Sequence, residues 1–150
     1  VRLIDNRAVA QGVLMPKSIK VRDCMTLHPV SFSADTDLVR AIDLLLEHRL
    51  SAAPVVDEHG LLIGLISEGD CLRGMLAGSY YGAVGGSVTA YMGTVVESVG
   101  PETDILEVAA RFIDGGRHQL PVTENGRLLG LISRHDVLRA IKAVAQRDGR

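Results

Sequence analysis

The sequence predicts an α+β fold built from one small unit used twice. Three observations carry that expectation. First, residues 54–70 read P-V-V-D-E-H-G-L-L-I-G-L-I-S-E-G-D, and residues 121–136 read P-V-T-E-N-G-R-L-L-G-L-I-S-R-H-D. Second, the copies hold register over a long span. An offset of 67 pairs Met25 with Met92, Ser31 with Ser98, Thr36 with Thr103, Asp37 with Asp104 and Pro54 with Pro121. After the turn at Gly60 and Gly126 the offset is 66, pairing Gly64 with Gly130, Ser67 with Ser133 and Asp70 with Asp136. One residue is lost in the turn, where a change of length costs least. Third, apolar spacing alternates between strand-like and helix-like stretches in the same order in each copy.

The elements follow in order. Residues 1–20 lie outside the repeat. Ile4 with Ala8 and Val9 with Val13 suit a short helix, which Gly12 weakens and Pro16 ends. We treat them as an N-terminal arm. Repeat 1 spans 21–76. His28–Phe32 reads as a short extended segment with Pro29 at its edge. Asp35 and Thr36 offer a helix N-cap. Leu38, Ala41, Ile42, Leu45 and Leu46 then form an amphipathic stripe. Strands at Ala52–Val56 and Leu61–Ile66 flank the Gly60 turn as a hairpin. Ser67 opens a second helix through Cys71, Leu72, Met75 and Leu76. Residues 77–87 read as a Gly-rich linker carrying Tyr80 and Tyr81, large apolar groups for a linker. Repeat 2 spans 88–146. Its first stripe is Ile105, Val108, Ala109, Phe112 and Ile113, with Thr103 as cap and Gly115-Gly116 as stop. Ser133 opens its second helix through Val137, Leu138, Ile141 and Val144. Each repeat is strand, helix, strand, strand, helix, with both helices covering one sheet face.

Composition narrows the function. A net charge of −2 gives no reason to expect nucleic acid or an acidic membrane. Of the sixteen basic residues thirteen are Arg, which suits phosphate recognition and equally a solvated surface. No apolar run approaches a membrane span. No signal-peptide pattern opens the chain, so cytoplasm is the default. Cys24 and Cys71 lack metal-like or redox-like spacing and read as small reduced thiols. No G-x-S-x-G, Walker loop, G-x-G-x-x-G or H-E-x-x-H is present, and the five His are scattered. The expectation is no enzyme, no metal and no cofactor.

The register of P-V-V-D-x-x-G-x-x-x-G-x-I-S-x-x-D after a strand and a helix, found twice, resembles the cystathionine-β-synthase (CBS) domain. Two in tandem resemble a CBS pair, or Bateman module. The resemblance spans about Val21–Val144. It implies two CBS domains packed with pseudo-twofold symmetry, usually pairing as a homodimer and regulating an attached or partner protein. It also implies an adenosine-containing ligand: AMP, ADP, ATP, S-adenosylmethionine or NAD.

Ser67-x-x-Asp70 and Ser133-x-x-Asp136 have two readings. Ser at the N-cap with an acid three residues on is a capping box, satisfying helix-start N–H groups. The same geometry offers a helix N-terminus to phosphate and a carboxylate to ribose hydroxyls. In CBS domains this Asp is the ribose contact and the Ser lies near ribose or phosphate. The family's adenine slot comes from the other domain. The resemblance therefore groups Val30, Leu50, Ser51 and Ala52 with Ser133, Arg134 and Asp136 as the main cleft. A second, weaker cleft groups Arg117, His118 and Gln119, with Glu97 nearby, with Ser67 and Asp70. The first slot is small and apolar, as a purine needs, and the second is polar and bulky. A ligand-free dimerisation or scaffold domain is the alternative.

Overall fold

The computed structural model describes residues 19–81 and 85–148. The expectations for the arm fall almost wholly outside the described residues, as do the side chains of Tyr80 and Tyr81.

The elements run α1 Val21–Cys24, β1 Thr26–Leu27, β2 Phe32–Ser33, α2 Leu38–Glu47, β3 Ala52–Val56, β4 Leu62–Ser67 and α3 Glu68–Tyr81. A 3-10 turn at Val88–Ala90 precedes α4 Ile105–Gly115, β5 Gln119–Glu124, β6 Arg127–Ser133 and α5 Arg134–Asp148. The chain is α+β and carries the repeat twice. It divides into two compact units. The first is His28–Ser98 with Thr123–Leu129, and the second is 19–27, Val99–Val122 and 130–148.

These units are not cut where the sequence repeats are cut. The opening segment of each repeat belongs to the unit built on the other. In the second unit β1 joins β6 antiparallel, Thr26 opposite Leu131 and Leu27 opposite Gly130, giving the order β1-β6-β5. Val21 N–H donates to Thr103 O and Arg22 N–H to Pro101 O, both at 2.9 Å. The counterpart in the first unit is Gly93, bridged to Leu65 by two backbone bonds of 2.9 Å. There the sheet is β2-β3-β4, with β2 parallel to β3 and β3 antiparallel to β4. The parallel strand of the second unit shrinks to one bridge, Val99 to Val122.

The cores repeat position by position. Val88, Phe32, Ala41, Leu45, Ala53, Val55, Ile66 and Cys71 fill the first. Val21, Val99, Val108, Phe112, Leu120, Val122, Ile132 and Val137 fill the second. The large ring moves from Phe32 in one to Phe112 in the other, so similar volume is packed differently.

Several local expectations are corrected. The cap of α2 is Asp37, whose carboxylate accepts from Val39 N–H at 3.0 Å, rather than Asp35 or Thr36. Asp35 instead accepts from the Ser33 hydroxyl at 2.6 Å, which holds its carboxyl below the usual range. The cap of α4 is Asp104, accepting from Leu106 N–H at 2.8 Å, rather than Thr103. Gly116 at φ 64° ends α4 as expected. The largest correction is at the linker, because α3 continues to Tyr81. Gly74 is a packing position, since a Cβ there would meet Leu38 Cδ2 at 2.7 Å and the Tyr91 ring at 3.0 Å. Gly85–Ser87 is also fixed: Gly86 O accepts from Leu38 N–H at 2.9 Å, and Ser87 Oγ donates to Ala34 O.

Candidate functional site

In both repeats a strand ends on Ser and the next residue begins a helix. The turn is held from the side by the residue before the first hairpin strand. Glu68 N–H donates to Ser51 O at 2.9 Å, and Arg134 N–H donates to His118 O at 3.1 Å. Both Ser-x-x-Asp motifs form capping boxes. Ser67 N–H donates to Asp70 Oδ2 at 2.9 Å, and Asp70 N–H donates to Ser67 Oγ at 3.2 Å. Ser133 N–H donates to Asp136 Oδ2 at 2.9 Å, and Asp136 N–H donates to Ser133 Oγ at 3.1 Å. These bonds satisfy donors that a helix start leaves without intrahelical partners.

Beyond the boxes the copies diverge. Ser67 Oγ also donates to Asp70 Oδ2 at 2.9 Å, and Arg73 Nη2 donates to Asp70 Oδ1. Arg139 Nη1 stands 3.9 Å from Asp136 Oδ1, an ion pair without a hydrogen bond. Both carboxylates are largely covered, at 14% and 11% side-chain exposure. Each lies near a thiol. Burial raises the Cys71 pKa, with help from Asp70 and Glu68. Burial likewise raises that of Cys24, with help from Asp136 and Asp23. Cys24 and Cys71 form no disulfide with one another.

Arg134 is not aimed outward. Its Nε donates to Arg117 O at 2.6 Å and its Nη2 to Phe112 O at 2.9 Å. The side chain that the resemblance groups with the main cleft spends two of its donors on carbonyls at the end of α4.

Within the first unit lie Val30, Leu50, Ser51 and Ala52, together with Ser67 and Asp70. Ala52 pairs with Ser67 across β3 and β4. Val30 and Leu50 pack half-buried on that unit's core. Within the second unit lie Arg117, His118 and Gln119, together with Ser133, Arg134 and Asp136. Each unit thus gathers one apolar or polar slot and one helix start. The sequence reading missed Arg73 and Arg139. Their signal was present as D-C-L-R and D-V-L-R, with the basic residue three positions after the acid. Among the described residues no group of three or more His, Cys, Asp or Glu could hold a metal. Nor is any helix among them long and apolar enough to cross a membrane.

Comparison with known proteins bears directly on this architecture. A zinc metalloprotease of Methanocaldococcus jannaschii is 33% identical over 132 residues, 88% of this chain and 35% of that protein. The chain thus spans about a third of that relative. The structure of CBSX2 in complex with AMP, a protein of Arabidopsis thaliana, matches at a TM-score of 0.72 and 26% identity. The match covers 87% of this chain and 98% of that one. The CBS domain pair of protein MJ0100, in complex with 5′-methylthioadenosine and S-adenosyl-L-methionine, matches at 0.70 and 20% identity. It covers 85% of this chain and 98% of that one. The family model for the CBS domain matches residues 21–77 and again 88–143. The chain belongs to the CBS-domain family, as a tandem pair.

Proposed function

We propose that the chain is a non-catalytic regulatory module that binds an adenosine-containing ligand and relays its presence to a protein partner. The observation that carries this reading is the match, over nearly all of a CBS pair, to a structure holding AMP. AMP, ADP, ATP, S-adenosylmethionine and NAD are the candidates. On this reading Val30, Leu50, Ser51 and Ala52 receive the adenine. Asp136 accepts hydrogen bonds from the ribose hydroxyls, and Ser133 meets ribose or phosphate. Arg134 braces that helix start through the Arg117 and Phe112 carbonyls, leaving its remaining N–H groups for phosphate. Arg117, His118 and Gln119, with Ser67 and Asp70, form the weaker site. The module works as a homodimer, in a cytoplasm that keeps Cys24 and Cys71 reduced.

A thermal-shift panel of the five ligands tests the reading. A ligand that binds only the folded state at a hundred times its Kd adds about 2.7 kcal/mol and raises the melting point by several degrees. A flat response to all five supports the second reading, a ligand-free dimerisation module. One observation favours that alternative: both capping boxes are complete without a ligand.

A further inference from the structure

The acceptor sites of Asp70 and Asp136 can be counted, each carboxylate within its own unit. An ionised carboxylate has about four such sites, two on each oxygen. On Asp70 three are in use. Its Oδ2 accepts from the Ser67 N–H and the Ser67 hydroxyl, both at 2.9 Å, and is full. Its Oδ1 accepts from Arg73 Nη2, which leaves one site. On Asp136, among the described residues, one is in use. Its Oδ2 accepts from the Ser133 N–H at 2.9 Å, and its Oδ1 accepts no hydrogen bond. Arg139 holds the position equivalent to Arg73, yet stays 3.9 Å from that oxygen.

A ribose offers two neighbouring hydroxyls, each donating one hydrogen bond. Asp136 can take both, one on each oxygen or both on Oδ1. Asp70 can take only one, because Oδ2 is full and Arg73 half-fills Oδ1. The Ser67 hydroxyl belongs to the capping box, since it also accepts from Asp70 N–H at 3.2 Å. Arg73 belongs to no box. It sits three residues on along α3 with 73% of its side chain exposed, so its bond to Asp70 can go while the helix start stays intact.

We infer that Arg73 is a latch on Asp70, a positioning residue that makes this helix start the weaker of the two towards a ribose. The inference rests on the adenosine reading above and adds what ranks the two sites. Capping and burial do not rank them. Both boxes are complete and both carboxylates are largely covered. The reach of one arginine does. An ion pair with so exposed a partner changes an affinity by about fivefold at most, so Arg73 ranks the sites rather than abolishing one.

Titration calorimetry with adenosine tests the latch. Adenosine carries both hydroxyls and no phosphate, so loss of a positive charge does not itself weaken its binding. Arg73→Gln is expected to tighten the weaker site about fivefold and leave the stronger site as it is. Where the weaker site is too weak to see in the native chain, it should appear in the variant. Arg73→Lys keeps a donor within reach of Asp70 and is expected to hold the site weak. Adding Asp70→Asn to Arg73→Gln is expected to abolish the gain, because an amide has one acceptor oxygen and the Ser67 bonds fill it. 2′-Deoxyadenosine brings a single hydroxyl of the pair, which Asp70 can already accept, and is expected to gain nothing from Arg73→Gln. An unchanged weaker site, or an equal gain for 2′-deoxyadenosine, would overturn the latch and leave the adenosine reading standing. Adenosine binding to neither chain would also overturn the latch, and the thermal-shift panel above would still decide the reading by itself.

Discussion

Gly64–Asp70 and Gly130–Asp136 are the same seven positions, yet their carboxylates are in different conditions. Asp70 accepts from the Ser67 N–H, the Ser67 hydroxyl and Arg73. Asp136 accepts from the Ser133 N–H, while Arg139 stays 3.9 Å away. Among the described residues, Asp136 Oδ1 accepts no hydrogen bond. One copy has closed its motif on its own helix. The other keeps an acceptor in hand. The same four residues thus cap both helices, and the placement of one arginine separates the two carboxylates. The glycines at the head of the stretch differ too. A Cβ on Gly64 would press on the Met92 side chain and lie 2.9 Å from Gly93 O, whereas a Cβ on Gly130 would collide with the backbone oxygen of Thr26.

The largest effect that would sharpen this comparison is at those glycines. Gly130→Ala should cost on the order of 3 kcal/mol, because a backbone oxygen cannot step aside. Gly64→Ala should cost less, roughly 2 kcal/mol, since Met92 can change rotamer and the Gly93 oxygen, at 2.9 Å, has to give by only a few tenths of an ångström. Urea denaturation of both variants measures the gap, and equal losses would mean that the two strand contacts are equally yielding. Next comes ligand binding. Asp136→Ala should weaken AMP binding about tenfold or more, through loss of charge-assisted bonds worth about 1.5–3 kcal/mol. Asp70→Ala should do much less. Calorimetry showing the larger loss at Asp70 would reverse the assignment of the two sites. Stability should run the other way. Asp70→Ala should lose about 1–2 kcal/mol and Asp136→Ala nearer 1 kcal/mol, as the first box carries more bonds.

The smallest effect is one the copies share. Both thiols titrate above their ordinary value of 9.0 in the folded chain. The unfolded chain therefore loses these protons first as pH rises. Stability is fully present below about pH 9 and declines above it. Replacing Cys24 and Cys71 by Ser and Ala should flatten that decline. A decline of unchanged slope would assign it to other groups.

The repeat, the hairpins and the amphipathic stripes were legible because they depend on local spacing. The offset fell from 67 to 66 where Asp57 gathers His59 and Leu61 N–H into a longer turn than Asn125-Gly126 needs. Other features were not legible because they depend on distant neighbours. Nothing in the spacing marks Gly74 as a packing position until Leu38 and Tyr91 are seen against it. That Arg134 braces the end of α4 is not visible until the carbonyls of Arg117 and Phe112 are placed beside it. The caps were misplaced by a single residue or two. Several adjacent side chains could serve, and only the backbone angles of Asp37 and Asp104 chose among them.

The exchanged opening segments also set a timetable for synthesis. A chain leaving the ribosome makes Val21 early, but Val21 N–H finds its acceptor at Thr103, 82 residues later. The first core likewise waits for Val88, which lies beyond all the rest of that core in sequence. Neither repeat encodes a core that can close by itself, so separate expression of residues 21–76 should yield an aggregation-prone fragment with Leu65 unpaired at a bare sheet edge. The duplication is visible in the letters, but the folding unit is the pair.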